Sequence, residues 1–247
     1  MSLLLEVESL SKDFGGVRAV HNLSLWLEEG ELLGVMGPNG SGKSTLFNLI
    51  AGALRPDGGR IRLRGRDIAR LAPHRICSLG IARTFQLVRT FAGLSALENV
   101  LVGCRYGRAR TTAAGAVAEA ERLLGLVGIG DRAGMSASQL TLIDRKRLEL
   151  ARALATSPQL LLLDEFLAGL NPAETATAMA LIRGLVAEGM TVLMVEHIVW
   201  ALMDLSRRII VVSAGEKIAE GSPEAIAADP VVLDAYLGSD GGSWLRA

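Results

Sequence analysis

Residues 37–45, "GPNGSGKST", constrain this chain more than any other stretch. They spell Gly, four residues, Gly, Lys, Ser between an apolar strand-like run, "ELLGVMG", and a helical one, "KSTLFNLIAG". That strand–loop–helix context separates a phosphate-binding loop from a chance glycine-rich turn. Glycines let the backbone wrap an anion, successive N–H groups converge, and the helix N-terminus adds positive potential. Gly37, Pro38, Asn39, Gly40, Ser41, Gly42, Lys43, Ser44 and Thr45 are therefore the candidate nucleotide contacts. Lys43 is expected at the β- and γ-phosphates, and the Ser44 hydroxyl on Mg²⁺. With only four lysines in the chain, a chance exposed lysine at this position is a weak competitor.

Further along, the pattern is that of an α/β protein. "LLLEVESL", "HNLSLWLEE" and "GRIRLRG" are short strand-like runs around the loop, and Gly52 is the expected C-cap of the helix that follows it. From Ser95 to about Gly130 the texture turns to Ala, Leu, Glu and Arg. There "TTAAGAVAEAERLLGLVG" places Val117, Ala120, Leu124 and Val127 on one helical face. Strand and helix then alternate: "QLLLLDE", "PAETATAMALIRGLVAEG", "MTVLMVEH", "IVWALMDLS" and "RRIIVVS". Strands apolar throughout belong inside a parallel sheet covered on both faces. No internal repeat or low-complexity tract is visible, and "SDGGSWLRA" is expected to be a loose tail.

Several of these strands end in polar residues suited to phosphate chemistry. Asp164 closes "LLLLD" and takes the Mg²⁺-coordinating role, with Glu165 next to it placed to polarise an attacking water. His197 ends a third apolar strand and suits a γ-phosphate contact; alone it would read as structural. Gln86, after "IARTF", suits a metal or water contact. Phe14, on the first hairpin, competes between stacking on adenine and a place in the core.

Composition removes some alternatives. Basic and acidic groups balance at 26 each, which argues against a protein held on nucleic acid by bulk charge. Cys77 and Cys104 have no metal-ligand spacing and read as reduced core thiols in a cytoplasmic setting. The opening "MSLLLEVESLSKDF" is neither a signal peptide nor a membrane span, so any membrane role is expected to run through a partner.

Together, the phosphate loop, Gln86, "LLLLDE" and His197 occur in the order of the nucleotide-binding subunits of ABC transporters, which the chain resembles over about residues 3–238. "SKDFGGVRAV", "GIARTFQ", "LLLLDEFLAGLNPAE", "VEHIVWALMD" and "IAEGSPEAIAADPVVLDAYLG" are most similar to the ATPases of branched-chain amino acid importers. The resemblance implies a single P-loop cassette with a mostly parallel core sheet and an N-terminal antiparallel β subdomain. It adds a helical subdomain over about 88–150 and a short C-terminal helical extension over about 222–238. It implies ATP and Mg²⁺ as cofactors, with Ser44, Gln86 and Asp164 at the metal. The expected partners are integral-membrane permeases, a second ATPase subunit, either a different chain or a second copy of this one, and, indirectly, a substrate-binding protein. The implied location is the cytoplasmic face of the membrane, with Phe91 and Leu97 either exposed as permease contacts or packed in the core.

The resemblance also exposes departures. Each ATP would lie between one subunit's loop and the other's Leu-Ser-Gly-Gly-Gln signature, which falls here on Leu140, Thr141, Leu142, Ile143 and Asp144. Thr141 keeps a hydroxyl and is a candidate contact to the partner's nucleotide, enough with a relaxed backbone to keep both sites working. Against that, Ile143 replaces a glycine, and its β-branch makes a positive φ costly. Asp144 would meet each unit charge of a phosphate at a cost of about 4 kcal/mol at about 4 Å. It is therefore expected to face away and to cap a helix starting at Arg145. Phe166 stands where proline is usual and Asn171 where aspartate is common. A lipopolysaccharide-export ATPase, a soluble ABC ATPase and a non-hydrolysing regulatory module are the competing functions. Glu165 with His197 opposes the last, and the short single cassette without heptads opposes the soluble class.

Overall fold

A parallel strand buried on both faces must be apolar at every position, and that requirement organises the molecule. The computed structural model describes residues 2–109 and 112–240. Strands β1 (Leu3–Phe14), β2 (Val17–Glu28) and β3 (Leu32–Met36) lead into helix α1 (Lys43–Ile50). Next come β4 (Gly58–Leu63), β5 (Arg66–Asp67), α2 (Pro73–Leu79) and β6 (Ile81–Arg83). Helices α3 (Ala96–Tyr106), α4 (Ala113–Leu126) and α5 (Leu142–Ala155) follow, and then β7 (Leu160–Asp164) and α6 (Pro172–Ala187). The chain continues with β8 (Thr191–Val195), α7 (Val199–Leu205), β9 (Arg208–Ser213), β10 (Glu216–Gly221), α8 (Pro223–Ala228) and α9 (Pro230–Asp240).

Two sheets result. The smaller is antiparallel, in the order β2-β1-β4-β5. The larger runs β10-β9-β3-β8-β7-β6 and is parallel except where β10 returns beside β9. Within the unbroken apolar run of β7, Leu161 and Leu163 pack with the helices on one face, while Leu160 and Leu162 pack with α1 and the antiparallel sheet on the other. In β8, Val192 and Met194 face the first cluster, and Leu193 and Val195 the second. Each strand is thus a two-sided layer, which is why the sequence shows no polar alternation there.

Some expectations need correction. The buried stripe of α4 is Ala120, Leu123, Leu124 and Val127; it stops short of the first turn, leaving Val117 38% exposed. Helix α1 is capped by Ala51, and Gly52 follows at a φ of +73°. Cys104 is buried, but Cys77 is only partly covered; both are free thiols. Phe14 is exposed, so it is not a core residue. Of the expected tail, Ser239 and Asp240 still belong to α9, and residues 241–247 lie outside the described part of the chain. Among the described residues, no helix is long and apolar enough to cross a membrane.

Candidate active site

Parallel strands deliver their C-terminal ends to one edge of a sheet, and four of them here are neighbours, β3, β8, β7 and β6. Strand β3 runs into the 37–45 loop, β8 into His197, β7 ends on Asp164 next to Glu165, and β6 leads to Gln86. Residues distant in sequence therefore meet along one line.

Within the loop, Gly37, Gly40 and Gly42 all have positive φ. A Cβ on Gly42 would stand 2.1 Å from the Ala19 carbonyl oxygen, and one on Gly37 would stand 2.0 Å from that of Val212. Glycine is required at both positions because neighbouring backbone already fills the space. Lys43, at the start of α1, is buried and donates to the carbonyls of Gly37 (2.8 Å) and Pro38 (2.9 Å) and to Ser41 Oγ (3.3 Å). Burial pushes its amine below the usual lysine range, against the opposing pull of Glu165 and Asp164.

Glu165 is the centre of the constellation. Gln86 Nε2 donates to its Oε2 at 2.7 Å, and His197 Nε2 lies 2.7 Å from its Oε1. A cavity of about 490 Å³ is lined by residues 39–45 together with Gln86, Glu165 and His197. Val17, Arg18 and Ala19, which the sequence did not single out, line its other wall from β2. Phe14 and Thr141 are not among the lining residues. Phe14 sits at the hairpin tip with the Lys12 ammonium 5.4 Å from its ring centre.

Asp164 lies at the strand end behind Glu165 and is buried. Its Oδ2 accepts from Arg83 Nη2 at 2.6 Å, whereas its buried Oδ1 has no hydrogen-bond partner. An unpartnered buried acceptor costs about 1–3 kcal/mol. A buried carboxylate oxygen left free of protein donors suits a hard cation. Among the described residues, no group of three or more His, Cys, Asp and Glu could hold a metal alone. Mg²⁺ requires no such cage, since it keeps phosphate oxygens and waters as ligands. Sequence reasoning missed Arg83; its signal was a lone charge inside the short run "GIARTF".

The segment carrying Gln86 is held from α5. Buried Glu149 accepts from Phe85 N (3.2 Å) and Arg89 N (3.0 Å). Beyond Gln86, Leu87 and Phe91 are 80% and 48% exposed. Leu97 takes the other of its two expected places, packed partly buried against the helical core from the first turn of α3.

The signature-aligned segment differs from expectation. Helix α5 starts at Leu142, not Arg145, and Thr141 is its N-cap, its hydroxyl accepting from Asp144 N at 3.3 Å. Asp144 therefore lies in the first turn. Its buried carboxylate is taken up by the Thr141 hydroxyl and by Arg132. Ile143 has helical backbone, so its β-branch is not strained. Asn171 caps α6 in a reciprocal box with Glu174, and Phe166 is buried.

Residues 20–168 match the family model described as ABC transporter. The chain belongs to the ABC transporter family. Residues 216–242 of this cassette also match the model described as branched-chain amino acid ATP-binding cassette transporter. The cassette is 40% identical over 249 residues to the high-affinity branched-chain amino acid transport ATP-binding protein BraF of Pseudomonas aeruginosa, covering 95% of this chain and 98% of that one. It is 41% identical, with the same coverage, to the corresponding protein LivG of Salmonella typhimurium. The lipopolysaccharide export system ATP-binding protein LptB of Acidithiobacillus ferridurans is 36% identical, over 96% of this chain and 98% of that one. An ATP-binding cassette of an ABC transporter in its ADP conformation has a TM-score of 0.87 at 30% identity, covering 96% of this chain and 100% of that one. A second cassette, dimeric in a post-hydrolysis state with ADP and Pi, has a TM-score of 0.80 at 26% identity, covering 89% of this chain and 99% of that one. The cassette is thus a nucleotide-binding ATPase subunit of a transporter.

Proposed function

We propose that this cassette hydrolyses ATP to drive an importer of branched-chain amino acids or related small solutes. The observation that carries the mechanism is the convergence of Gln86 and His197 on Glu165 across from the glycine loop. The N–H groups of residues 37–45 bind the phosphates, and Lys43 meets the β- and γ-phosphates. Ser44, Gln86 and Asp164 hold Mg²⁺, which when bound neutralises phosphate charge. Glu165 polarises the attacking water, Gln86 and His197 orient its carboxylate, and His197 reaches toward the γ-phosphate. Phe14, exposed on the hairpin whose other strand lines the cavity, is the candidate for the adenine face.

The whole chain acts as one cassette, peripheral to the cytoplasmic face of the membrane through integral-membrane partners. Leu87 and Phe91, exposed next to Gln86, are the proposed docking contacts. The second ATPase subunit is proposed to be a different chain. Here the Thr141 hydroxyl and the Asp144 carboxylate are committed to α5 and Arg132, so this chain offers little to an ATP on its partner's loop. Its own loop would instead use the partner's signature.

Reconstitution with the membrane subunits tests the transport reading. ATP turnover is expected to rise when a binding protein loaded with leucine or a similar solute is supplied in the lumen of the vesicles. Turnover stimulated by lipopolysaccharide instead would transfer the cassette to the export class.

A further inference from the structure

Glu165 has a φ of +50°, a left-handed backbone that a non-glycine residue keeps only where its surroundings hold it. Its N–H donates to Val195 O (2.9 Å), and Ala168 N closes a turn on its carbonyl (3.2 Å). Two buried charged side chains from other elements complete the support. Lys146, on the second turn of α5 and 5% exposed, donates its Nζ to the carbonyls of Glu165 (3.3 Å) and Phe166 (2.8 Å). Glu196, just past β8 and 2% exposed, accepts from Leu167 N at 2.8 Å.

Charges buried in this way are costly and persist where their partners are fixed. Burial lowers the Lys146 amine, and the Glu196 carboxylate is the strongest opposing influence, followed by those of Glu149 and Glu165. Burial also pushes the Glu196 carboxyl up to about 7. Neither residue lines the nucleotide cavity. Their contacts fall on three consecutive residues, 165–167, immediately after β7. An apolar residue at 146 would fill space but take the Lys146 donor from the Phe166 carbonyl and leave the Glu165 carbonyl with Ala168 N alone.

We propose that Lys146 is a positioning residue for ATP hydrolysis: its ammonium grips the Glu165 and Phe166 carbonyls and so aims the Glu165 carboxylate at Gln86 and His197. The inference rests on the reading of Glu165 as the water-polarising group. It predicts a defect in turnover and not in nucleotide binding, because the phosphate loop lies on β3 and α1 and makes no contact with Lys146 among the hydrogen bonds of that side chain.

The test compares steady-state hydrolysis by the full chain with K146M, K146R and E165Q, and follows binding of a fluorescent ATP analogue. K146M is expected to lose about tenfold or more in kcat with KM within about twofold, the scale of a misaimed catalytic group. K146R, which restores a donor and a charge, is expected to recover kcat to within about threefold. If K146M is insoluble, K146Q gives the same uncharged comparison, with the same expected fall in kcat. Wild-type kcat in the uncharged variant overturns the proposal. So does a fall shared equally by kcat, nucleotide affinity and K146R, which marks a merely structural role. Abolished turnover in E165Q with normal turnover in K146M defeats this inference alone. Normal turnover in E165Q defeats the underlying reading of Glu165.

Discussion

Replacing Glu165 by Gln is expected to lower steady-state ATP turnover by about 10²–10⁴-fold, the range a positioned general base supplies. The change is nearly isosteric, and Gln86 and His197 keep a polar partner, so ATP affinity should stay close to wild type. Quenched-flow phosphate release together with equilibrium nucleotide binding separates the two effects. In a complex with a second ATPase subunit the same substitution also tests asymmetry. Under the proposed pairing, removing Glu165 is expected to disable the site that this chain's loop would share with the partner's signature. The equivalent change in the partner should cost much less, because the signature facing that site has its hydroxyl and carboxylate tied up by Asp144, Thr141 and Arg132. Equal losses from the two single substitutions would remove the asymmetric reading and leave the hydrolytic one standing.

Gly42→Ala should be severely damaging to the loop, as should Gly37→Ala, whose Cβ would also meet backbone. Gly42 has a φ of +104°, and a Cβ there would meet the Ala19 carbonyl oxygen at 2.1 Å. Both obstacles are backbone, so no side-chain rotation relieves them. Left-handed strain and overpacking together are expected to cost about 3 kcal/mol. For a domain of this size that is a fall of about 6–12 °C in Tm. Nucleotide binding should be lost as well, since Gly42 fixes the entry to α1. Gly40→Ala is the internal control. It shares a positive φ of +77° but meets nothing within 4 Å, so about 1 kcal/mol of backbone strain is expected. Thermal melts and calorimetric titration of the two variants check the ranking, and a G42A protein that binds ATP like wild type would contradict it.

What was legible in the sequence was whatever depends on local pattern. The loop between β3 and α1 declares itself by spacing, and β7 and β8 by apolar runs that only a doubly covered strand tolerates. Asp164, Glu165 and His197 could be located because each closes or follows such a run. Side-chain pairing across the sheet was not legible. Arg83 reaches Asp164 because β6 lies beside β7, and Lys146 reaches the turn after β7 from a helix, facts that belong to topology. The start of α5 was misread because Asp is a favoured cap. The better signal was Thr141 followed three residues later by Asp144, the spacing of a reciprocal N-terminal cap. On the first hairpin, Phe14 attracted attention as an aromatic, yet it is Val17, Arg18 and Ala19 on β2 that line the cavity. Hairpin geometry decides which strand faces the loop, and composition does not carry that information.

Calorimetric titration of ATP into wild-type and K43A protein, each with and without Mg²⁺, tests the central claim most directly. The glycine loop with buried Lys43, facing Glu165, Gln86 and His197, predicts tight binding only to wild type with Mg²⁺. Loss of the lysine should weaken it by about tenfold or more, as expected for a charge-assisted phosphate contact worth about 1.5–3 kcal/mol. Equal affinity in all four titrations would contradict the account at its base.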